Sequence, residues 1–403
     1  DRFLEDKSPA AYDTQLNRLL ASPRFGEKWA RHWLDLARYA DSRGYGSDPL
    51  RLNAWPFRDW VINAFNRNLS YDQFTIDQLA GDLLPNATDD QLLATSFHRN
   101  TMTNTEGGTD DEEFRVAAVM DRMNTTWETW MGVSFGCVQC HSHPYDPIRH
   151  KEYYSFMEFF NQSQDADIGE DQPLMPVPND VAKYQESNQL QNAILAAEKK
   201  LFTIRKQINT SSTWQPPTSM TATAKKAKLT ISKENDISEF RADPNAAAGA
   251  EYFLTFSSAL KTLTALRLEL LPLDVKKAKH TPEWGGIIRK IQLETVDSLG
   301  KVTPIPFYEG IADEAHPMFD PNLSIKGDER AWGTYSKINK PRYADFVLEK
   351  PLELSADTQL RVTISNGFIY SASFPMIAKR GRIFLTDKPE WITHRELPEV
   401  IDS

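Results

Sequence analysis

The chain has 403 residues, a formal net charge of −10 from 46 basic and 56 acidic side chains, 40% apolar and 11% aromatic content, and two cysteines. At about 100 to 200 residues per domain this length suggests two or three domains. Two cysteines exclude a disulfide scaffold, and a mean hydropathy of −0.52 with no long apolar run excludes a membrane-spanning helix. The acidic balance without a basic stripe argues against a nucleic-acid partner, because phosphate binding depends on Lys and Arg releasing counterions. The sequence opens at Asp1 with neither an initiator Met nor a signal-peptide apolar segment. It is therefore read as a piece of a longer or processed polypeptide, and its compartment is not fixed by that absence.

Helical signals run from residue 9 to about 161. Phe25, Trp29, His32, Trp33 and Leu36 recur at three- and four-residue spacing, which predicts one apolar face on a helix through Glu27 to Tyr39. Helix starts are expected at Ser70-x-x-Gln73, Thr88-x-x-Gln91 and Thr109-x-x-Glu112, each a capping-box pattern, with stops at Gly81, Pro85 and Gly132. The polar stretches Asp41 to Ala54 and Asn100 to Gly108 read as ordered loops. Pro173, Pro176 and Pro178 then break the helical pattern. Beyond them Leu190, Ile194, Ala197, Leu201, Ile204 and Ile208 form a heptad seam too short for an independent coiled coil, so packing on a neighbouring domain or a second helix is expected.

From about 213 the period becomes two. Leu266, Leu268 and Leu270 alternate with Arg267 and Glu269, and Leu360, Val362 and Ile364 alternate with Arg361 and Thr363, as half-buried strands do. Further strands are expected at Leu229 to Ser232, Tyr252 to Phe256, Ile287 to Leu293, Phe346 to Leu348 and Ile383 to Leu385. Short strands without intervening helices predict an antiparallel β-sandwich of jelly-roll type.

The sharpest chemical feature is Cys137-Val138-Gln139-Cys140-His141. C-x-x-C-H is the attachment signature of c-type haem, in which two thiolates add to the vinyl groups and the adjacent histidine binds iron. A thioredoxin-like redox pair shares the C-x-x-C but sits in a βαβ setting, which is missing here. Zinc needs two more ligands, for which only His143 and His150 are at hand. For the distal side of a haem the candidates are His98, then Met102 in the same loop, then His32, whose apolar helix face equally suits a core histidine. His143, two residues from His141, suits a local hydrogen-bonding role.

The acidic run Glu106 to Glu113 could collect a hard cation with Asp146, but it lacks EF-hand spacing and reads more simply as acids at a helix N-terminus. Trp127, Trp130 and Phe135 either wall a haem pocket or fill the core. In the sandwich, Trp284, Trp332, Tyr335 and Tyr343 either form a sugar-stacking platform or pack inside.

The stretch Ala21 to Ser42 resembles the planctomycete-specific cytochrome-like family, in particular its mid-chain domain of unknown function. The likeness continues through Phe57 to Pro85, Phe97 to Thr109 and Gly136 to Pro147, and Leu263 to Pro272 is similar to the galactose-binding-like sandwich often found in the same family. The resemblance implies a large extracytoplasmic protein with a cytochrome segment before this region and a companion domain after it. It supplies no reaction.

The combined expectation is a multidomain chain: an all-α c-type-haem domain over 1–178, a helical spacer over 179–212, an antiparallel sandwich over 213–387 and a tail over 388–403. One haem c is expected on Cys137 and Cys140, with His141 as proximal and His98 as distal ligand. The expected role is periplasmic or cell-surface electron transfer with a redox partner protein or domain. Two other classes stay open: a scaffold that binds polysaccharide or a protein partner and carries a subsidiary haem, and a haem enzyme such as a peroxidase or sugar oxidase.

Overall fold

A computed structural model describes residues 2–46, 48–104, 111–162, 166–167, 171–172, 174–175, 181–297, 299–316, 319–334, 337–355, 357–368 and 375–396. The chain divides into two compact units, Asp1–Asp171 and Gln172–Ser403. No helix among the described residues is long and apolar enough to cross a membrane.

The first unit is helical, with α1 (Ala11–Leu20), α2 (Arg24–Leu36), α3 (Trp55–Asn66), α4 (Tyr71–Ala80), α5 (Asp89–Ala94), α6 (Asp111–Met131) and α7 (His150–Asn161). The Thr88 and Gln91 side chains form the expected reciprocal cap of α5. Ser70 caps α4 by position, without the side-chain bond to the helix backbone. Thr109, the third expected cap, lies outside the described residues.

The apolar face expected on α2 is rotated. Trp29 and Leu36 are 46% and 52% exposed and His32 is exposed, whereas Gly26, Ala30 and Ala37 are buried, with Trp33 and Leu34 partly so. The reason is backbone proximity. A Cβ on Gly26 would meet the Ile62 carbonyl oxygen of α3 at 2.4 Å, and the Gly26 N–H donates to Asn66 Oδ1 at 2.8 Å. Small residues bring the two helices close, so Trp29 faces outward. Trp33 remains in the core, edge-on to Phe74 and Trp130, and its indole N–H donates to Gln78.

In the second unit, α8 (Tyr184–Ser211) precedes an antiparallel sandwich-like pair of sheets. The strands are β1 (Ser219–Lys225), β2 (Leu229–Glu234), β3 (Ile237–Ala242), β4 (Glu251–Ser257), β5 (Thr262–Leu270), β6 (Ile288–Val296), β7 (Val302–Ile305), β8 (Phe307–Ala312), β9 (Arg342–Glu353), β10 (Gln359–Phe368) and β11 (Arg380–Thr386). One sheet runs β7-β6-β10-β4-β1, the other β8-β9-β5-β11-β3-β2. Each strand expected from alternation is present. Asn235 and Asp236, with φ of 51° and 63°, close the β2–β3 hairpin as a primed turn requires.

Leu266, Leu268 and Leu270 enter the core, and each has partners on both β9 and β11. The opposite face of β5 is not left to water. Ile208 of α8 is buried in the sandwich core and Ile204 packs against it, while Leu190 and Ile194 at the other end of the seam are exposed. The segment 179–212, read as a spacer, is therefore docked along its C-terminal half. Trp391 and Ile392, within the stretch read as a tail, also lie in this core.

Candidate functional site

Residues 133–148 connect α6 to α7 and contain the cysteine motif. A short 3₁₀ turn, Phe135–Gln139, is anchored by two buried side chains. Phe135 stacks on Trp127 at 4.4 Å and on Tyr153 at 5.2 Å between centroids, and Val138 is buried beside them. In such a turn residues i and i+3 share one side, so holding 135 and 138 inward directs 137 and 140 outward. Both cysteines are exposed free thiols, and the Cys140 N–H donates to the Cys137 carbonyl at 3.5 Å.

The start of α7 holds this turn. His150 Nδ1 lies 2.8 Å from the Val138 carbonyl, the Tyr154 hydroxyl donates to the Gln139 carbonyl at 3.0 Å, and the His150 N–H donates to Ser142 Oγ at 3.1 Å. His141 is exposed, and its Nδ1 lies 2.8 Å from the Ser142 carbonyl. A carbonyl only accepts, so this contact assigns the proton to Nδ1 and leaves the lone pair on Nε2. Metal-bound imidazoles are commonly fixed by the same second hydrogen bond.

His143 takes the opposite tautomer. Its Nδ1 accepts from the backbone N–H groups of Tyr145 at 3.3 Å and Asp146 at 2.9 Å, and the backbone N–H of His143 donates to the Ile148 carbonyl at 2.8 Å. Nδ1 also lies 3.1 Å from the Asp146 carboxylate. His143 is thus a loop-fixing residue. Among the described residues no three His, Cys, Asp or Glu side chains gather as a metal-binding group, and His143 and His150 each have their Nδ1 engaged by backbone. The additional ligands that zinc needs are not assembled.

His98 lies in the 3₁₀ turn Thr95–Arg99, its ring 5.3 Å from Phe97 and 5.0 Å from Phe160. Ring contacts continue from Phe160 to Phe156 and from Phe156 to Phe135, so an aromatic layer connects His98 to the cysteine turn. His98 also lines a shallow depression with Arg38, Asp121 and Arg122. Arg38 adopts a left-handed φ of 56° at the end of α2 and makes a two-pronged pair with Asp121 at 2.7 and 2.6 Å. Met102 is half exposed, and His32 is at the surface of α2.

The other candidates resolve as follows. Trp127 and Phe135 belong to the packed cluster beneath the turn, and Trp130 packs against the helical core. The acidic run is outside the described residues as far as Asp110. In the sandwich, Trp332 is 1% exposed and Tyr343 lies over Arg267, which dissolves the four-ring platform. Tyr335 is outside the described residues and Trp284 is 39% exposed. Sequence reasoning considered His150 only as a zinc ligand and passed over Tyr154, Arg38 and Asp121. His150 and Tyr154 carry a signal, an i, i+4 polar pair opening the helix after the motif. Arg38 and Asp121 are 83 positions apart and carry none.

Residues 1–165 match the family PSCyt2, described as a protein of unknown function (DUF1549). A mutant of CBM29-2, a family 29 carbohydrate-binding module, is a similar solved structure at 8% identity and a TM-score of 0.19, over 44% of this chain and 85% of that one. That likeness is too slight to bear on fold or ligand. No curated protein matches the chain.

Proposed function

We propose that the first unit carries one covalently attached haem c and serves in extracytoplasmic electron transfer. The observation that supports this most directly is the outward-facing pair Cys137 and Cys140 on one short turn, followed by an exposed His141 with Nδ1 held by Ser142. The donor set fits the group: two accessible thiols for the two thioethers and an imidazole whose Nε2 lone pair is open. Below the turn the space is filled by Phe135, Val138 and Tyr153. The group would accordingly lie against the outer surface of the turn.

When bound, a c-type haem supplies reversible one-electron exchange. The chain's own part is positional. Val138 and Phe135 keep the turn from rotating, His150 and Tyr154 fix its carbonyls, and Ser142 sets the tautomer of His141. An exposed edge suits exchange with a partner protein better than enclosure of a small substrate. His98, whose ring lies 5.0 Å from Phe160, would be the second residue to hold the group in this reading.

A potentiometric titration of chain made with a c-type maturation system tests the role. The reading expects one reversible one-electron step and weak CO binding by the reduced form. A high-spin protein that turns over peroxide would replace the carrier with a haem enzyme.

A further inference from the structure

The second unit carries the string Lys-Lys-Ala-Lys twice, at 225–228 and 276–279. Strand order brings both to one end of the sandwich. Leu270, at the end of β5, pairs with Gly381 at the start of β11; Arg380 pairs with Arg241 of β3, and Ala242 with Leu229 at the start of β2. Neighbouring strands lie about 4.8 Å apart, so the ends of these four strands fall within about 14 Å.

At this end the acids face the backbone and the lysines face water. Glu283 closes the loop 271–284 by accepting from the N–H groups of Leu273 at 2.9 Å and Asp274 at 3.0 Å. Asp274 in turn accepts from the N–H groups of Lys276 and Lys277, both at 3.0 Å, and Ala278 is buried beneath. Lys276, Lys277 and Lys279 are left exposed. In the other string Lys225 pairs with Glu251 at 3.0 Å, while Lys226 and Lys228 are exposed. Among the described residues no carboxylate lies within ion-pair distance of these five exposed lysines. On β9, the strand beyond β5, Arg342 is already paired with Asp313, which bounds the patch on that side.

Two apolar side chains stand in the same loop as the second string. Leu273 is 42% exposed and Trp284 is 39% exposed. Gathered like charges repel one another, and an anionic surface relieves that repulsion. Lysines attract anionic headgroups and lay their stems along the interface, where an indole and a leucine are also accommodated. A wholly polar acidic polymer would leave Leu273 and Trp284 in water.

We propose that this end of the sandwich docks on an anionic lipid surface, with the lysines against the headgroups and Leu273 and Trp284 at the interface. The contact is peripheral and independent of the haem reading. Co-sedimentation of the full chain at low salt tests it, using vesicles of phosphatidylcholine alone and vesicles of an equal mixture of phosphatidylcholine and phosphatidylglycerol.

Binding should need phosphatidylglycerol and weaken as salt is raised. Each lysine removed should cost about fivefold in affinity, so Lys276→Gln/Lys277→Gln/Lys279→Gln should lose about a hundredfold with the thermal transition unchanged. Lys199→Gln/Lys200→Gln, at exposed positions of α8, should bind as the unaltered chain does. Bromine-labelled lipid chains should quench part of the tryptophan emission, and Trp284→Phe should remove that quenching. The proposal is overturned if both vesicles bind alike or neither binds, or if the triple variant keeps its affinity. It is equally overturned if poly-L-glutamate or duplex DNA binds more tightly than the anionic vesicles and Trp284 is not quenched, which would make the patch a docking site for a soluble polyanion.

Discussion

Arg267 and Asp345 face each other across β5 and β9, with Nε to Oδ1 at 2.7 Å and a second guanidinium nitrogen to Oδ2 at 2.9 Å. The guanidinium is held between the rings of Trp214 and Tyr343, at 4.1 and 3.8 Å from their centroids, and also donates to Asn209 of α8 at 2.6 Å. This pair is what the polar side of β5 does: it fastens α8 to the sheet. Arg267→Met should leave a buried carboxylate without its partner and cost about 3–5 kcal/mol. Adding Asp345→Leu should recover most of that loss, because the stranded charge is gone. Urea unfolding of the four chains of the cycle measures it, and additive losses would contradict the account.

Two buried carboxylates, Asp345 and Glu239, give the sandwich opposing responses to pH. Burial, opposed by Arg267, raises the Asp345 carboxyl from 3.8 to about 6. The folded chain keeps this proton after the unfolded chain has released it, so the associated stability is complete below 3.8 and lost as pH rises through 6. Glu239 behaves oppositely: burial pushes it up, but Arg380 and Arg241 together hold it at about 2, against 4.5. Its contribution is present above 4.5 and lost as pH falls towards 2. Each window is worth roughly 3 kcal/mol. Asp345→Asn should flatten the neutral-side slope of the sandwich melting temperature and Glu239→Gln the acid-side slope; exchanged effects would show that the assignments are reversed.

Gly26 sets the separation of α2 and α3. Gly26→Ala should force the helices apart and cost about 1–3 kcal/mol, even though alanine is the better helix former. Thermal unfolding followed by helical circular dichroism decides this, and a stabilised variant would mean that the crossing tolerates a methyl group.

These three sites also show how far the sequence could be read. Alternation at Leu266, Leu268 and Leu270 identified a real strand, because a period of two survives any arrangement of neighbours. The same reading left Arg267 facing water, since nothing local says that α8 returns to cover it. On α2, three- and four-residue spacing located the helix correctly and its buried face wrongly. Periodicity marks where apolar side chains lie, whereas the face that packs was chosen here by glycine and alanine. The cysteine motif was legible because its chemistry is local. The support from His150 and Tyr154 depends on the angle at which α7 meets the turn, which no spacing rule records.

For the iron's distal side, His98→Ala in the haem-loaded protein is expected to change a low-spin ferric spectrum to one with high-spin character and to permit CO binding by the reduced form. His32→Ala, at a surface position, should change neither. An unaltered spectrum in His98→Ala would turn attention to Met102.

The central claim is covalent attachment at Cys137 and Cys140, and the intact mass of chain produced with a c-type maturation system tests it most directly. The account predicts the polypeptide mass plus one haem, retained after denaturation, with Cys140→Ala keeping at most one thioether and Cys137→Ala/Cys140→Ala giving bare chain. A wild-type mass equal to the polypeptide alone, from cells that load a control cytochrome, would contradict it.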